Sequence, residues 1–319
     1  MIPLLHPPYP LLKHAFNMLA GVAIAFHGLA QAGDETPANG ILWEVKSTMN
    51  TAYLFGSIHL AKASFYPLPD AVQQAFQQAD VLMVEIDGSD AEAGKKAMPW
   101  LSYTTPDNLK RHLRTATWKK LQAMLGNSVA QVSQLKPAIV ATSLSLGIFT
   151  AQGYDAAEGV DLHFIRRAHA AHKPVVELES MEFQAQVLGG LDDEDGDALL
   201  LQTLEALQSG EAVRETEQMV RAWQEGDAET LVRILEQTAD KDKGSRKMMK
   251  LLLDDRNPHM AAQMAAAIHA GKKIFVVVGA GHIAGKNSIT DLLQRQGYQL
   301  RQLRQSGSPE QLFLPLRQP

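Results

Sequence analysis

Cysteine is absent from all 319 residues. That absence excludes disulfides, thiolate catalysis, thiolate-ligated zinc and a lipid-anchored cysteine at a processing site. Basic clusters are equally short. None exceeds the pairs Lys95-Lys96, Lys119-Lys120, Arg166-Arg167 and Lys272-Lys273, and the net charge is −5. Nucleic acid and an anionic membrane surface are therefore not expected partners. There is no internal repeat and no His-Glu-x-x-His helix of the zincin kind. Without disulfides the chain must be held by its core alone, which its length and a 45% apolar content permit.

Only one segment is apolar enough to interest a membrane, and it lies at the start. Lys13 precedes an apolar run from Ala15 to Ala30, and Ala30-Gln31-Ala32 forms a small-x-small exit. This is the order of a secretory signal peptide, so residues 1–32 are expected to be removed and residues 33–319 to form the exported domain, periplasmic or secreted. Retention as a single anchor is the alternative, but the run is shorter than the roughly 20 residues that span a bilayer. No stable anchor is expected after cleavage.

Beyond it, Ile41 to Lys46 and Thr51 to Gly56 read as a β-hairpin, Pro69 to Ala79 as a short helix, and Asp80 to Ile86 as a strand covered on both faces. Strand, helix and strand in so short a span predict a βαβ unit with parallel pairing. Helical spacing follows at Thr115 to Leu125, Pro137 to Phe149 and Gly159 to Ala171; Pro174 to Leu178 reads as another buried strand. From about 180 to 255 there is almost no β pattern, which predicts a helical insertion or lid. Its acidic run Asp192-Asp-Glu-Asp195 reads as a solvated helix start. The pattern returns to β at Lys273 to Val278, then gives a helix from Ser288 to Gln296 and a strand from Tyr298 to Leu303. The expected fold is α/β (α+β), with a mixed, largely parallel central sheet wrapped by helices.

In such sheets ligands bind beyond the carboxyl ends of the strands. Four expected strands finish with a histidine or a carboxylate: Gly56-Ser-Ile-His59, Glu85-Ile-Asp87, Glu177-Leu-Glu179 and Gly279-Ala-Gly-His282. These residue types bind divalent metal or move protons. A Gly-x-x-His sequence occurs by chance about once in a chain of this composition, but two directly follow buried-type strands. Glycine there lets the backbone turn sharply and approach a ligand. Glu85 closes an apolar run and needs a partner, whether metal, histidine or arginine. Glu177 alternates with Glu179, so only one of them can face the site. His163, His169 and His172 fall on one expected helix and read as a solvated face. Asn257 before Pro258 suits an N-cap, which leaves Arg256 free to reach an anionic group.

These residues together resemble the TraB/GumN family. The resemblance rests on the two Gly-x-x-His motifs, Val84-Glu85, Glu158-Gly-Val-Asp161, Val176-Glu-Leu-Glu179 with Gln184, and Arg256-Asn257, in that order from about Ile41 to Leu303. The family is similar to the Tiki metal-dependent proteases and, more distantly, to erythromycin esterases and ChaN-like haem-binding proteins. The resemblance implies both histidines in one cleft: His59, His282 and Glu85 as metal or catalytic residues, Glu179 assisting, and Arg256, Asn257, Gly56 and Gly279 lining the pocket.

The expected function is a metal-dependent hydrolase, peptidase-like, using Zn²⁺ or Mn²⁺ on the two histidines. Metal-free acid–base chemistry with a histidine base stays open. So does a non-enzymatic protein that captures a peptide or small molecule in the same cleft. A dinucleotide site at Val278-Gly-Ala-Gly-His-Ile-Ala-Gly285, read as opening a helix, is disfavoured because too little chain follows it and no acidic residue is placed for a ribose. Oligomeric state is not readable.

Overall fold

The computed structural model describes residues 38–88 and 91–304; the expected leader lies outside the described residues. Six strands form one sheet: β1 (Ile41–Lys46), β2 (Thr51–Ser57), β3 (Val81–Val84), β4 (Val175–Glu177), β5 (Ile274–Gly279) and β6 (Gln299–Leu303). Their order is β4-β3-β5-β2-β1-β6. The first four in that order are parallel, and β1 runs antiparallel to both β2 and β6.

The position of β5 follows from its composition. Ile274 to Val278 are wholly buried, and a strand with no polar face can sit only in the interior of a sheet covered on both sides. It therefore inserts between β2 and β3. Helix α1 (Asp70–Gln78) does connect β2 to β3, but the two strands do not pair; each pairs with β5 instead. The expectation of direct pairing is corrected by a strand nearly two hundred residues downstream. Another correction concerns β4, which is a sheet edge rather than a buried strand, with Val176 37% exposed. Its short length and Glu177 are the usual ways of blunting an edge.

The remaining helices are α2 (Ala91–Leu101), α3 (Thr115–Leu125), α4 (Pro137–Ala151), α5 (Val160–Ala170), α6 (Met181–Leu188), α7 (Asp193–Gln208), α8 (Glu211–Glu225), α9 (Ala228–Ala239), α10 (Lys243–Met249), α11 (Asn257–His269) and α12 (Ile289–Arg295). Among the described residues no helix is long and apolar enough to cross a membrane. The main core joins the sheet to α1, α5 and α11, and also takes Val220, Ala222 and Trp223 of α8 with Ala228 and Leu231 of α9. A second core unites Leu109, Leu121 and Leu125 with Val140, Ala141 and Leu144 of α4 and Leu200 and Leu204 of α7. The helical stretch from 181 onward is thus divided among three clusters, the third joining Leu191 and Met248 to Ala138 of α4.

Local signals explain several helix ends. Asp192, Asp227, Asp242 and Ser288 each accept a backbone N–H in the first turn of the following helix. The acidic run is less solvated than its sequence suggests: Asp195 is buried and ion-paired with Lys243 and Lys247. His172 lies past the end of α5 in the left-handed region, φ 52°, so it does not share a helix with His163 and His169.

Candidate functional site

All four parallel strands end at the same rim of the sheet, and each delivers a chemically capable side chain there. Beyond β2 comes His59, beyond β3 Glu85, beyond β4 Glu179, and beyond β5 the turn Ala280–His282. Gly279 marks where they meet. A Cβ on it would lie 3.3 Å from Glu85 Oε1, 3.6 Å from His282 Cδ2 and 3.9 Å from His59 Nε2. Two histidines more than 200 positions apart therefore border one point.

His59 is held by a segment whose role the sequence did not reveal. Its Nδ1 donates to Asp161 Oδ2 at 2.9 Å, and the Ser57 hydroxyl donates to the other Asp161 oxygen. The loop carrying Asp161 docks closely: Val160 N donates to Ile58 O, and a Cβ on Gly159 would come within 2.3 Å of the His59 carbonyl. Only glycine permits that approach. The Asp161 carboxylate raises the His59 pKa to about 9, although burial opposes it. The ring is 51% exposed, and solvent screening weakens such a pull.

His282 is different. It is buried, and its Nδ1 donates to Asn257 Oδ1 at 2.6 Å, while its Nε2 faces Glu85 Oε1 at 3.8 Å. Burial lowers its pKa to about 4, so at pH 7 it is the neutral ring. Asn257 is the first residue of α11 and serves His282; its side chain does not cap the helix, which corrects the expected N-cap. Ala280–His282 is a 3-10 turn rather than the opening of a helix, and the next helix, Ile289–Arg295 with Ser288 as its cap, lies where the sequence indicates it. The glycine-rich stretch therefore lacks the helix N-terminus a dinucleotide pyrophosphate requires.

Beside the histidines is a buried ionic network. Arg256 donates Nε and Nη2 to Glu179 at 2.9 and 2.6 Å, Nη2 to Glu85 Oε2 at 2.5 Å, and Nη1 to the Leu252 carbonyl. Gln184 donates to both carboxylates at 3.0 and 3.1 Å. Arg256 is thus not free for an outside anion, because Glu85 and Glu179 would be unpaired buried charges without it. A π-helical turn, Lys250–Asp254, precedes Arg256 and sets its approach. Burial pushes the Glu85 carboxyl up; the charges of His282, Arg256 and His59 and the Gly279 N–H outweigh it and bring it to about 2. With His282 neutral at pH 7, Arg256 and the His59 imidazolium are the cations that keep Glu85 ionised there.

The expected pocket residues separate. Gly279 faces the histidines, and its N–H donates to Glu85 Oε1 at 2.7 Å. Gly56 faces away: a Cβ there would meet Ile283 Cδ1 at 2.3 Å, and its carbonyl accepts from Trp223 Nε1 at 2.7 Å. Its glycine serves packing of the β2 end against the β5 turn. Glu177 accepts from Asp87 N outside the network, and His169 pairs with Asp87. Ser57 was not legible as a site residue, because its role exists only through Asp161, distant in sequence.

The arrangement suits a divalent cation in its donor chemistry. Both rings have Nδ1 tied to an oxygen acceptor, which leaves Nε2 of His59 toward Gly279 and Nε2 of His282 toward Glu85 Oε1, the way metal-ligating histidines are held from behind. Glu85, Glu179 and Asp161 outnumber Arg256, so once His59 gives up its proton the cluster carries an excess of two negative charges, the charge a divalent cation offsets. Glu85 Oε1 borders the same space. Among the described residues, however, no three histidine or carboxylate side chains already converge as a ligand set.

The TraB/PrgY/gumN family model matches residues 41–302. "Uncharacterized protein YbaP" of Escherichia coli (strain K12) is 27% identical over 76% of this chain and 87% of its own. "Metalloprotease TIKI1" of Homo sapiens is 24% identical over 83% of this chain and 62% of its own. "Metalloprotease TIKI homolog" of Nematostella vectensis is 24% identical over 89% and 71%. No solved structure matches.

Proposed function

Because the chain belongs to the TraB/PrgY/gumN family, we propose that it is a metal-dependent hydrolase of peptide bonds, with His59 and His282 as the metal ligands. One observation carries this reading: two imidazoles, each anchored through Nδ1, border the same glycine and the same Glu85 oxygen, His59 with Nε2 toward Gly279 and His282 with Nε2 toward Glu85 Oε1. The relatives named as metalloproteases support the reaction class. When bound, Zn²⁺ or Mn²⁺ would supply Lewis acidity toward a carbonyl or a water.

The chain's own residues have distinct parts. Asp161 and Asn257 hold the two rings in orientation. Glu85, at about 2, is too weak a base to take a proton near neutral pH; it supplies a fixed negative charge and an oxygen as the third donor beside the two ring nitrogens. Arg256 and Gln184 keep Glu85 and Glu179 from turning away. Gly279 leaves open the volume a side chain would fill, and that is where the reacting group enters.

A second reading follows from the unlike partners of the rings. In a metal-free site His59, backed by the Asp161 carboxylate, is the histidine that moves the proton, because His282, held at about 4, is like Glu85 a poor base near neutral pH. Metal analysis of the purified protein separates the two. Stoichiometric metal that disappears in His59→Ala/His282→Ala supports the first; metal that persists there sinks it. Peptide cleavage undiminished by chelation moves the site to the second reading, and ligand capture without turnover makes it a binding protein. We also propose that the chain works outside the cytoplasm after loss of its leader; the N-terminal sequence of exported material tests this.

A further inference from the structure

The two rings offer the same nitrogen to the crevice, but they are fixed by unlike devices. Behind His59 is a carboxylate, which accepts from Nδ1 whichever way it turns. Behind His282 is an amide, which can present either oxygen or NH₂. An amide reversed there would face its NH₂ to Nδ1 and force the proton onto Nε2, where no lone pair would remain for the crevice. Something must therefore choose the amide's orientation.

We infer that the Asn287 main-chain carbonyl makes that choice, and that Asn287 and Asn257 together are positioning residues fixing His282 as its Nδ1–H tautomer. Asn257 Nδ2 donates to Asn287 O at 3.0 Å. A carbonyl only accepts, so the amide nitrogen must lie on that side and Oδ1 on the other, 2.6 Å from His282 Nδ1. The proton consequently sits on Nδ1, and Nε2 carries its lone pair on the side of Glu85 Oε1, 3.8 Å away. Asn287 reaches this position in the left-handed region, φ 59°, which asparagine tolerates better than most side chains and β-branched residues adopt at a cost. Its own N–H is tied to Asp291 Oδ2 at 2.8 Å, which anchors the turn to the first turn of α12. The device thus runs from a strained backbone position, through a buried amide, to the ring.

The inference about the tautomer holds with or without metal; its value to catalysis rests on the hydrolase reading. The test uses the full chain labelled with ¹⁵N-histidine, kept metal-free by chelation near neutral pH, with His282→Gln to assign the ring. Long-range ¹H–¹⁵N spectra of the wild type are expected to show a protonated Nδ1 and an unprotonated Nε2. In Asn287→Val the two resonances move toward the reverse pattern, and in Asn287→Gly they stay. Asn257→Ala is expected to reverse them too, with a loss of metal affinity of about 10- to 100-fold. A wild-type ring protonated on Nε2, or a pattern indifferent to both Asn287→Val and Asn257→Ala, overturns the relay. Because Asn287 is only partly buried at a surface turn, Asn287→Val supplies the answer even should Asn257→Ala not fold. Failure of metal uptake by the wild type leaves this spectrum untouched, so the two ideas fall separately.

Discussion

At the residue scale, two imidazoles of one sequence motif have opposite charge preferences. The cause is what stands behind each ring, a carboxylate for His59 and a buried amide for His282. For His282 the sign of the pH dependence follows directly. In the unfolded chain it takes a proton as pH falls through about 6.5, whereas the folded ring resists until about 4. Acidification across that window therefore favours unfolding. Glu85, depressed to about 2 from 4.5, adds a second loss as pH falls between those values. Denaturation midpoints of the chelated protein should drop in both windows, and His282→Gln should shrink only the upper one, which burial of His163, also lowered to about 4, shares; an unchanged upper limb refutes the assignment. Gly279→Ala separates site from fold. Its Cβ would press on Glu85 Oε1 at 3.3 Å, a side-chain end that can give, so we expect little change in melting temperature and at least a tenfold loss of peptide hydrolysis, consistent with the cost of small misplacements at a reacting centre. The motif glycines also show how far spacing can be read. Both Gly-x-x-His pairs were visible in the sequence, but which glycine faces the crevice depends on the neighbour across it, Ile283 for Gly56 and Glu85 for Gly279.

At the scale of elements, Arg256 and its π-turn explain why two glutamates can end buried strands. Removing the guanidinium leaves two carboxylates without a counter-charge, so Arg256→Ala should cost about 3–5 kcal/mol in urea unfolding. Arg256→Ala combined with Glu85→Gln and Glu179→Gln should recover part of that loss. Additive destabilisation instead would mean the network does not carry the effect. The helix α8 contributes in a different way, through the Trp223 indole bonded to the Gly56 carbonyl. Trp223→Phe keeps most of the buried ring but leaves that group unsatisfied, which should cost about 1–3 kcal/mol. None of these pairings has a local signature. The sequence shows that Glu85 needs a partner; it does not show that the partner is 171 positions away.

At the scale of the whole molecule, binding of a cation to the folded state alone should raise stability. At a hundredfold excess over its dissociation constant the gain is about 2.7 kcal/mol. A thermal-shift titration with Zn²⁺ or Mn²⁺ should show this in the wild type and lose it in His59→Ala/His282→Ala; equal shifts in both would place the metal elsewhere. What the sequence determined by itself was the set of elements and their chemistry. The apolar run of β5 dictates an interior strand because no face of it tolerates water, and the strand ends announce their histidines and carboxylates because a turn must follow there. The tertiary structure alone decided adjacency. It placed β5 between β2 and β3, made β4 an edge, and supplied Asp161, Asn257 and Arg256 as the groups that fix protons and charges at the rim. Periodicity and turn chemistry act over a few residues, whereas hydrogen bonds and ion pairs act over a few ångströms, and only the folded chain converts one distance into the other.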